Sequence, residues 1–140
     1  MKLAKVPHEL IYVSLFNAEH RTEEMLKMNP THKLPYIQDT EDGLGTSESG
    51  AIVRYVANKL GLDTPLYPIN DLRRRALIDR FLDWTISDIR KSSAGLYGAA
   101  LILRWRGLTV PQSLINQREE YWKRNMLFLD EILSQQEYVV

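Results

Sequence analysis

The sequence contains no cysteine among its 140 residues, and this absence excludes several chemistries. Disulfide bonds, iron–sulfur clusters, thiolate nucleophiles and dithiol redox motifs all require cysteine. A surplus of charge is also missing, because Lys plus Arg and Asp plus Glu number 18 each and the formal net charge is zero. Binding to nucleic acid phosphates depends on positive charge, so we expect no nucleic acid partner.

Long hydrophobic runs are missing as well. No stretch approaches the ~18 consecutive apolar residues of a membrane-spanning helix, and the N-terminal residues lack the apolar core of a signal peptide. Hydrophobic residues make up 44% and charged residues 26%, as in an ordinary globular domain. These features predict a globular, cytoplasmic protein with no membrane partner.

The first part of the chain mixes strand and helix patterns. Residues 9–16 are β-branched and aromatic on both faces, which predicts a strand that is covered on both sides. Further predicted elements are a helix over residues 22–28 capped by Thr22, a strand over residues 34–38, a hairpin turn at Asp42-Gly43, a very short strand near residues 44–46 and a helix that opens at residues 47–50.

The second part of the chain is predicted to be all helical. Gly61 is suited to end the preceding helix, and the Pro- and Asp-containing segment after it lacks periodicity. Long helices are expected over residues 71–91, with Asp71 as N-cap, and over residues 112–135. We therefore predict an α/β domain over residues 1–61, a linker over 62–70 and a helical domain over 71–140.

Two sequence motifs, taken together, are specific enough to indicate a protein family. Asn29-Pro30-Thr31-His32-Lys33-Leu34-Pro35 is followed, after the hairpin, by Ser47-Glu48-Ser49-Gly50-Ala51-Ile52. This pair of motifs resembles the glutathione-binding core of cytosolic glutathione transferases, most nearly of the theta class. The resemblance covers most of the chain. It implies a thioredoxin-like α/β part followed by an all-α part.

The resemblance implies roles for four residues at the two motifs. Pro35 would follow a cis peptide bond, and Leu34 would present its free N–H and C=O to the backbone of glutathione's cysteine. Glu48 would pair with the ammonium of the γ-glutamyl group, and Ser49 with the helix N-terminus would bind its carboxylate. Without the resemblance, Pro35 is an ordinary trans proline at a strand edge, and Glu48-Ser49 is a helix cap.

Three further residues receive roles from the same resemblance. His20 and Lys33 would reach the glycyl carboxylate of glutathione, and Arg90 would face the active site from the helical part. The alternatives are a surface histidine, a solvated lysine and a solvent-facing arginine. The resemblance implies glutathione as a substrate and no metal.

The sequence also departs from the family pattern. The family's first strand and the Ser or Tyr that activates the glutathione thiol have no counterpart, and neither has the helix that follows the last residues. The expectation is therefore a fragment, truncated at both ends, with little conjugating activity, since the hydroxyl that lowers the thiol pKa is absent. No catalytic residue is assigned apart from Arg90.

The predicted function is that of a glutathione-binding member of a detoxification family. In the complete enzyme, glutathione thiolate would attack a hydrophobic electrophile, and the complete protein would be a homodimer. The alternative function is a non-catalytic interaction module with a transferase-like fold. The Glu48-Ser49 pair favours the enzyme, because an interaction module has less need of it. The missing first strand favours the interaction module for this particular chain.

Overall fold

A computed structural model describes residues 6–61, 67–93 and 98–140. Contacts within the chain divide it into an N-terminal unit that ends at Val56 and a helical unit over Ala57–Val140. The N-terminal unit contains a small sheet with short helices, and the remainder is mostly helical. This arrangement confirms the predicted fold class, an α/β part followed by an all-α part.

The N-terminal unit is built around a hairpin. Helix α1 (Glu23–Met28) begins where the Thr22 hydroxyl accepts a hydrogen bond from the Met25 N–H at 3.4 Å, as predicted. Strands β1 (Tyr36–Gln38) and β2 (Gly45–Ser47) then pair antiparallel. The turn between them requires Gly43, whose φ of +77° lies in the left-handed region that glycine adopts without a steric penalty.

The predicted strand over residues 9–16 is wrong. Residues 9–14 have no regular secondary structure, and the described part of the chain contains only the two-stranded sheet of β1 and β2. A turn starts at Leu15 and is held by Ser14, whose N–H donates to a Glu19 carboxylate oxygen at 2.6 Å. A strand is stabilised by its ladder partner, and here the apolar side chains of Leu10 (89% exposed) and Phe16 (87%) are open to solvent.

Helix α2 (Ser49–Lys59) follows β2 directly. The helical unit then contains α3 (Leu72–Trp84), a π-helical turn (Thr85–Ile89), α4 (Arg90–Ser93), α5 (Ala99–Trp105) and α6 (Gln112–Gln135). The helix predicted over residues 71–91 is therefore present, with its Asp71 cap and with a π-turn near its end. The helix predicted over residues 112–135 is confirmed.

The helical unit packs the segment from the end of α3 to α4 against α6 through aromatic and polar contacts. The Trp84 ring meets the Phe128 ring edge-on, with centroids 5.0 Å apart. The Asn125 amide donates to the Ser92 hydroxyl at 3.3 Å, and both residues are buried. These contacts fix the packing of the two helical segments.

Part of the predicted linker lies outside the described residues, namely positions 62–66. Tyr67, which follows them, is only 3% exposed and belongs to the helical unit. Its hydroxyl donates to the Asp79 carboxylate at 3.1 Å, and the Arg75 guanidinium lies 5.1 Å from its ring centroid. The end of the linker is thus anchored on α3.

Candidate functional site

The hairpin brings the two sequence motifs to one end of the sheet. Tyr36 at the start of β1 pairs with Ser47 at the end of β2, so residues just before β1 lie beside residues just after β2. Lys33 and Glu48, fifteen positions apart, meet there with Lys33 Nζ 3.2 Å from Glu48 Oε1. Their side chains are 69% and 53% exposed, so both charges remain accessible to a ligand.

Lys33 and Leu34 are carried by a loop that a buried asparagine organises. Asn29, 3% exposed, donates from its amide Nδ2 to the Lys33 carbonyl at 2.7 Å. Its amide oxygen accepts from the Thr31 hydroxyl at 2.7 Å, and its own carbonyl accepts from the His32 N–H at 2.9 Å. The sequence analysis placed Asn29 in the first motif but assigned no role to its side chain; an Asx residue before a tight loop is the signal that was available.

Leu34 precedes a cis peptide bond to Pro35, as predicted. The Leu34 side chain is 37% exposed. In the described part of the chain, neither its N–H nor its C=O enters a hydrogen bond. Both backbone groups are therefore available to an extended peptide ligand.

Glu48 and Ser49 lie at the entrance to α2. The Glu48 carbonyl accepts the first helical hydrogen bond, from the Ile52 N–H at 3.0 Å, and Ser49 is the first helical residue. Glu48 has φ +69°, a left-handed conformation that costs a non-glycine residue about 1–2 kcal/mol. Such backbone strain is concentrated at ligand sites, where surrounding structure maintains it.

Among the described residues, no hydrogen bond or ion pair joins His20 to this cluster. His20 lies in a 3₁₀ turn (Glu19–Arg21), where its Nδ1 is shielded from solvent without a hydrogen-bond partner. Arg90 is exposed at the start of α4 in the helical unit. Both remain predictions as glutathione-site residues.

The hairpin turn is tied to α2 by an electrostatic contact that the sequence did not suggest. The Tyr55 hydroxyl lies 2.8 Å from an Asp39 carboxylate oxygen and 2.8 Å from an Asp42 carboxylate oxygen. Desolvation, together with these two carboxylates, raises the pKa of Tyr55 to about 12. Tyr55 therefore stays neutral and donates its proton over the whole physiological range.

The described ranges contain neither a metal-binding cluster nor a membrane-spanning helix. No group of three or more His, Asp or Glu side chains there is arranged to hold a metal ion. No described helix combines the length and apolar character needed to cross a bilayer.

Comparison with known proteins gives consistent matches. Residues 1–59 match the family model described as glutathione S-transferase, N-terminal domain. Human glutathione S-transferase theta-2B is 32% identical over 129 residues, which cover 92% of this chain and 49% of that protein. The chain spans about half the length, or less, of the first curated relatives that it matches.

Solved structures of the same family have the same fold. A glutathione transferase of Bombyx mori superposes with a TM-score of 0.82 at 31% identity, covering 99% of this chain and 59% of that chain. Human glutathione transferase theta-2, solved with glutathione and an unknown ligand, superposes with a TM-score of 0.82 at 26% identity. The match covers 96% of this chain and 54% of that chain. The chain belongs to the glutathione transferase family, with theta-class proteins among its relatives.

Proposed function

We propose that the end of the β1–β2 hairpin binds glutathione through Lys33, Leu34, Pro35, Glu48 and Ser49. The observation that supports this proposal is the convergence of complementary groups at one place. A carboxylate and an ammonium lie 3.2 Å apart there, next to a backbone segment with unused hydrogen-bonding groups. Glutathione is a short peptide with a cationic and two anionic groups, and this set of partners matches it.

Binding exchanges one ion pair for two. In the free protein Glu48 and Lys33 neutralise each other. In the complex Glu48 takes the γ-glutamyl ammonium, while Lys33, with His20, takes the glycyl carboxylate. The Ser49 hydroxyl and the first amides of α2 take the γ-glutamyl carboxylate, because unpaired N–H groups at a helix N-terminus favour an anion.

In the whole protein, this site would supply glutathione for conjugation. The sulfur of the thiolate forms a bond to an electrophilic carbon, the leaving group departs with its electron pair, and the thiol proton passes to solvent. Arg90 would face the reacting groups from the helical domain. The thiol-activating hydroxyl is not assigned to any residue of this chain. All the relatives reported above are transferases, and none supports the interaction-module alternative.

The same proposal includes the location, oligomeric state and domain organisation of the whole protein. The whole protein would be a cytoplasmic homodimer that conjugates hydrophobic electrophiles in detoxification, and it would use no metal. Its α/β domain would extend over residues 1–61, with a linker over 62–70 and a helical domain from residue 71. Family membership supports this setting.

The test is glutathione affinity, measured by calorimetric titration and by retention on glutathione–agarose. Glu48→Gln removes the charge that faces the ammonium while it keeps the side-chain shape. Hydrogen bonds to charged groups contribute about 1.5–3 kcal/mol, so we expect the dissociation constant to be about 10- to 150-fold larger.

The matched control is Glu23→Gln. Glu23 forms a comparable exposed ion pair with Lys27 at 2.9 Å, but on α1. Glutathione affinity should be unchanged in this control. Equal affinity of Glu48→Gln and the parent chain, or no binding by the parent chain, would contradict the proposed site.

A further inference from the structure

The side chain of Asn29 forms hydrogen bonds at two points of the loop before β1. It is 3% exposed, its Nδ2 donates to the Lys33 carbonyl at 2.7 Å, and its Oδ1 accepts from the Thr31 hydroxyl at 2.7 Å. Its backbone N–H also caps α1 through the Met25 carbonyl at 2.8 Å. One residue thus fixes the end of a helix and the path of the next four residues.

The loop itself has a conformation that needs such support. His32 has φ +44°, in the left-handed region, and its side chain is exposed. Thr31, Lys33 and Leu34 are exposed as well, so they contribute little burial to hold the loop. The buried amide of Asn29 therefore supplies the principal fixed contact of this segment.

We infer that Asn29 is a positioning residue for glutathione, acting by holding the Lys33 carbonyl and thereby the Lys33 side chain toward the glycyl carboxylate. This inference rests on the proposed function. Asn29 does not itself contact the ligand. Its amide sets the backbone at Lys33 before the ligand arrives, which reduces the entropy that binding must remove.

The decisive variant is Asn29→Asp, which keeps the shape of the side chain and an acceptor for Thr31 but removes the donor to Lys33. Two ligands should be titrated against the full chain: glutathione, and γ-glutamylcysteine, which lacks the glycine. Without this hydrogen bond Lys33 must be ordered when the ligand binds, and this ordering cost should weaken glutathione binding by about 2- to 10-fold. The affinity for γ-glutamylcysteine should fall by a clearly smaller factor, because that ligand has no glycyl carboxylate for Lys33 to bind.

The matched control is Asn125→Asp in the helical unit. Asn125 is 4% exposed, and its amide donates to the Ser92 hydroxyl, so the same chemical change occurs at an equally buried position. Both variants should lower the thermal unfolding midpoint. A purely structural role of Asn29 would change stability alone, and the control should retain the parent affinity for both ligands.

The outcomes separate the inference from the proposed function. Unchanged glutathione affinity in folded Asn29→Asp, or an equal loss for both ligands, overturns the role of Asn29 and leaves the glutathione site intact. Absence of binding by the parent chain overturns the site, and the inference with it. A selective loss for glutathione supports both.

Discussion

At the scale of the residue, Tyr55 makes a pH-dependent contribution to stability. Its phenol has one proton and two carboxylate neighbours, Asp39 and Asp42, each 2.8 Å away. Folding raises the pKa of Tyr55 to about 12, so the folded state favours the neutral phenol. The contribution is fully present below the ordinary phenol pKa of about 10 and is lost as the pH rises through 12.

We therefore expect Tyr55→Phe to be less stable than the parent chain at pH 8, with a difference that shrinks between pH 10 and pH 12. The free energy of unfolding in urea measures this difference at each pH. Tyr12→Phe is the control, because Tyr12 is 84% exposed. If the free energies of unfolding of Tyr55→Phe and the parent chain differ by a constant amount up to pH 12, Tyr55 does not stabilise the turn through its proton.

Motifs identified the site residues that contact the ligand in our proposal, but they did not identify their support. Lys33, Glu48 and Ser49 were assigned through the resemblance of two sequence motifs to a known family. Asn29 and Tyr55 act through hydrogen bonds whose partners are set by loop geometry. An Asx residue before a tight loop signals that Asn29 holds a turn, but the folded loop determines which atoms these hydrogen bonds join, so only the structure shows the partners.

At the scale of the element, a hydrogen bond joins the π-turn to α6. The Tyr121 hydroxyl donates to Asp88 at 2.5 Å across 33 positions of the chain. The Ser87 hydroxyl and then the Tyr121 hydroxyl lower the pKa of the Asp88 carboxyl, outweighing desolvation. Since the folded state favours the carboxylate, this stabilisation is present above the ordinary pKa of about 4 and is lost as the pH falls through the lowered value.

Tyr121→Phe should therefore raise the pKa of Asp88 and shift acid unfolding to higher pH. The first effect is measured by NMR titration of the Asp88 carboxyl carbon, and the second by circular dichroism. Tyr138→Phe is the control, because Tyr138 is 67% exposed near the C-terminal end. An unchanged Asp88 titration in Tyr121→Phe would contradict the assigned cause.

Element prediction from sequence succeeded where the signals were local. Thr22 and Asp71 cap their helices as expected, because a cap depends on the next three residues. The strand prediction for residues 9–16 failed because a strand depends on a pairing partner, which the hydrophobic pattern does not specify. The π-turn at Thr85–Ile89 was also not predicted, since a single extra residue per turn hardly alters hydrophobic periodicity.

At the scale of the whole molecule, large apolar side chains are exposed in both units. They include Leu10, Tyr12 and Phe16 in the N-terminal unit, which are 84–89% exposed, and Leu101 and Trp105 on α5. Monomeric proteins rarely expose contiguous apolar surface of this kind. Much of this exposed apolar surface lies over residues 10–16, where five of seven positions carry a large, exposed hydrophobic side chain.

We expect the 140-residue chain to bind a hydrophobic dye and to self-associate as its concentration rises. The double variant Leu10→Lys/Phe16→Lys should remove most of both effects, because two charges interrupt the apolar segment. Leu72→Lys is the control, since Leu72 is 79% exposed at the start of α3, far along the chain from that segment. Dye fluorescence and sedimentation velocity measure the two effects. If the parent chain is a monomer without dye binding, the exposed segment is covered in solution, and its contacts differ from those described here.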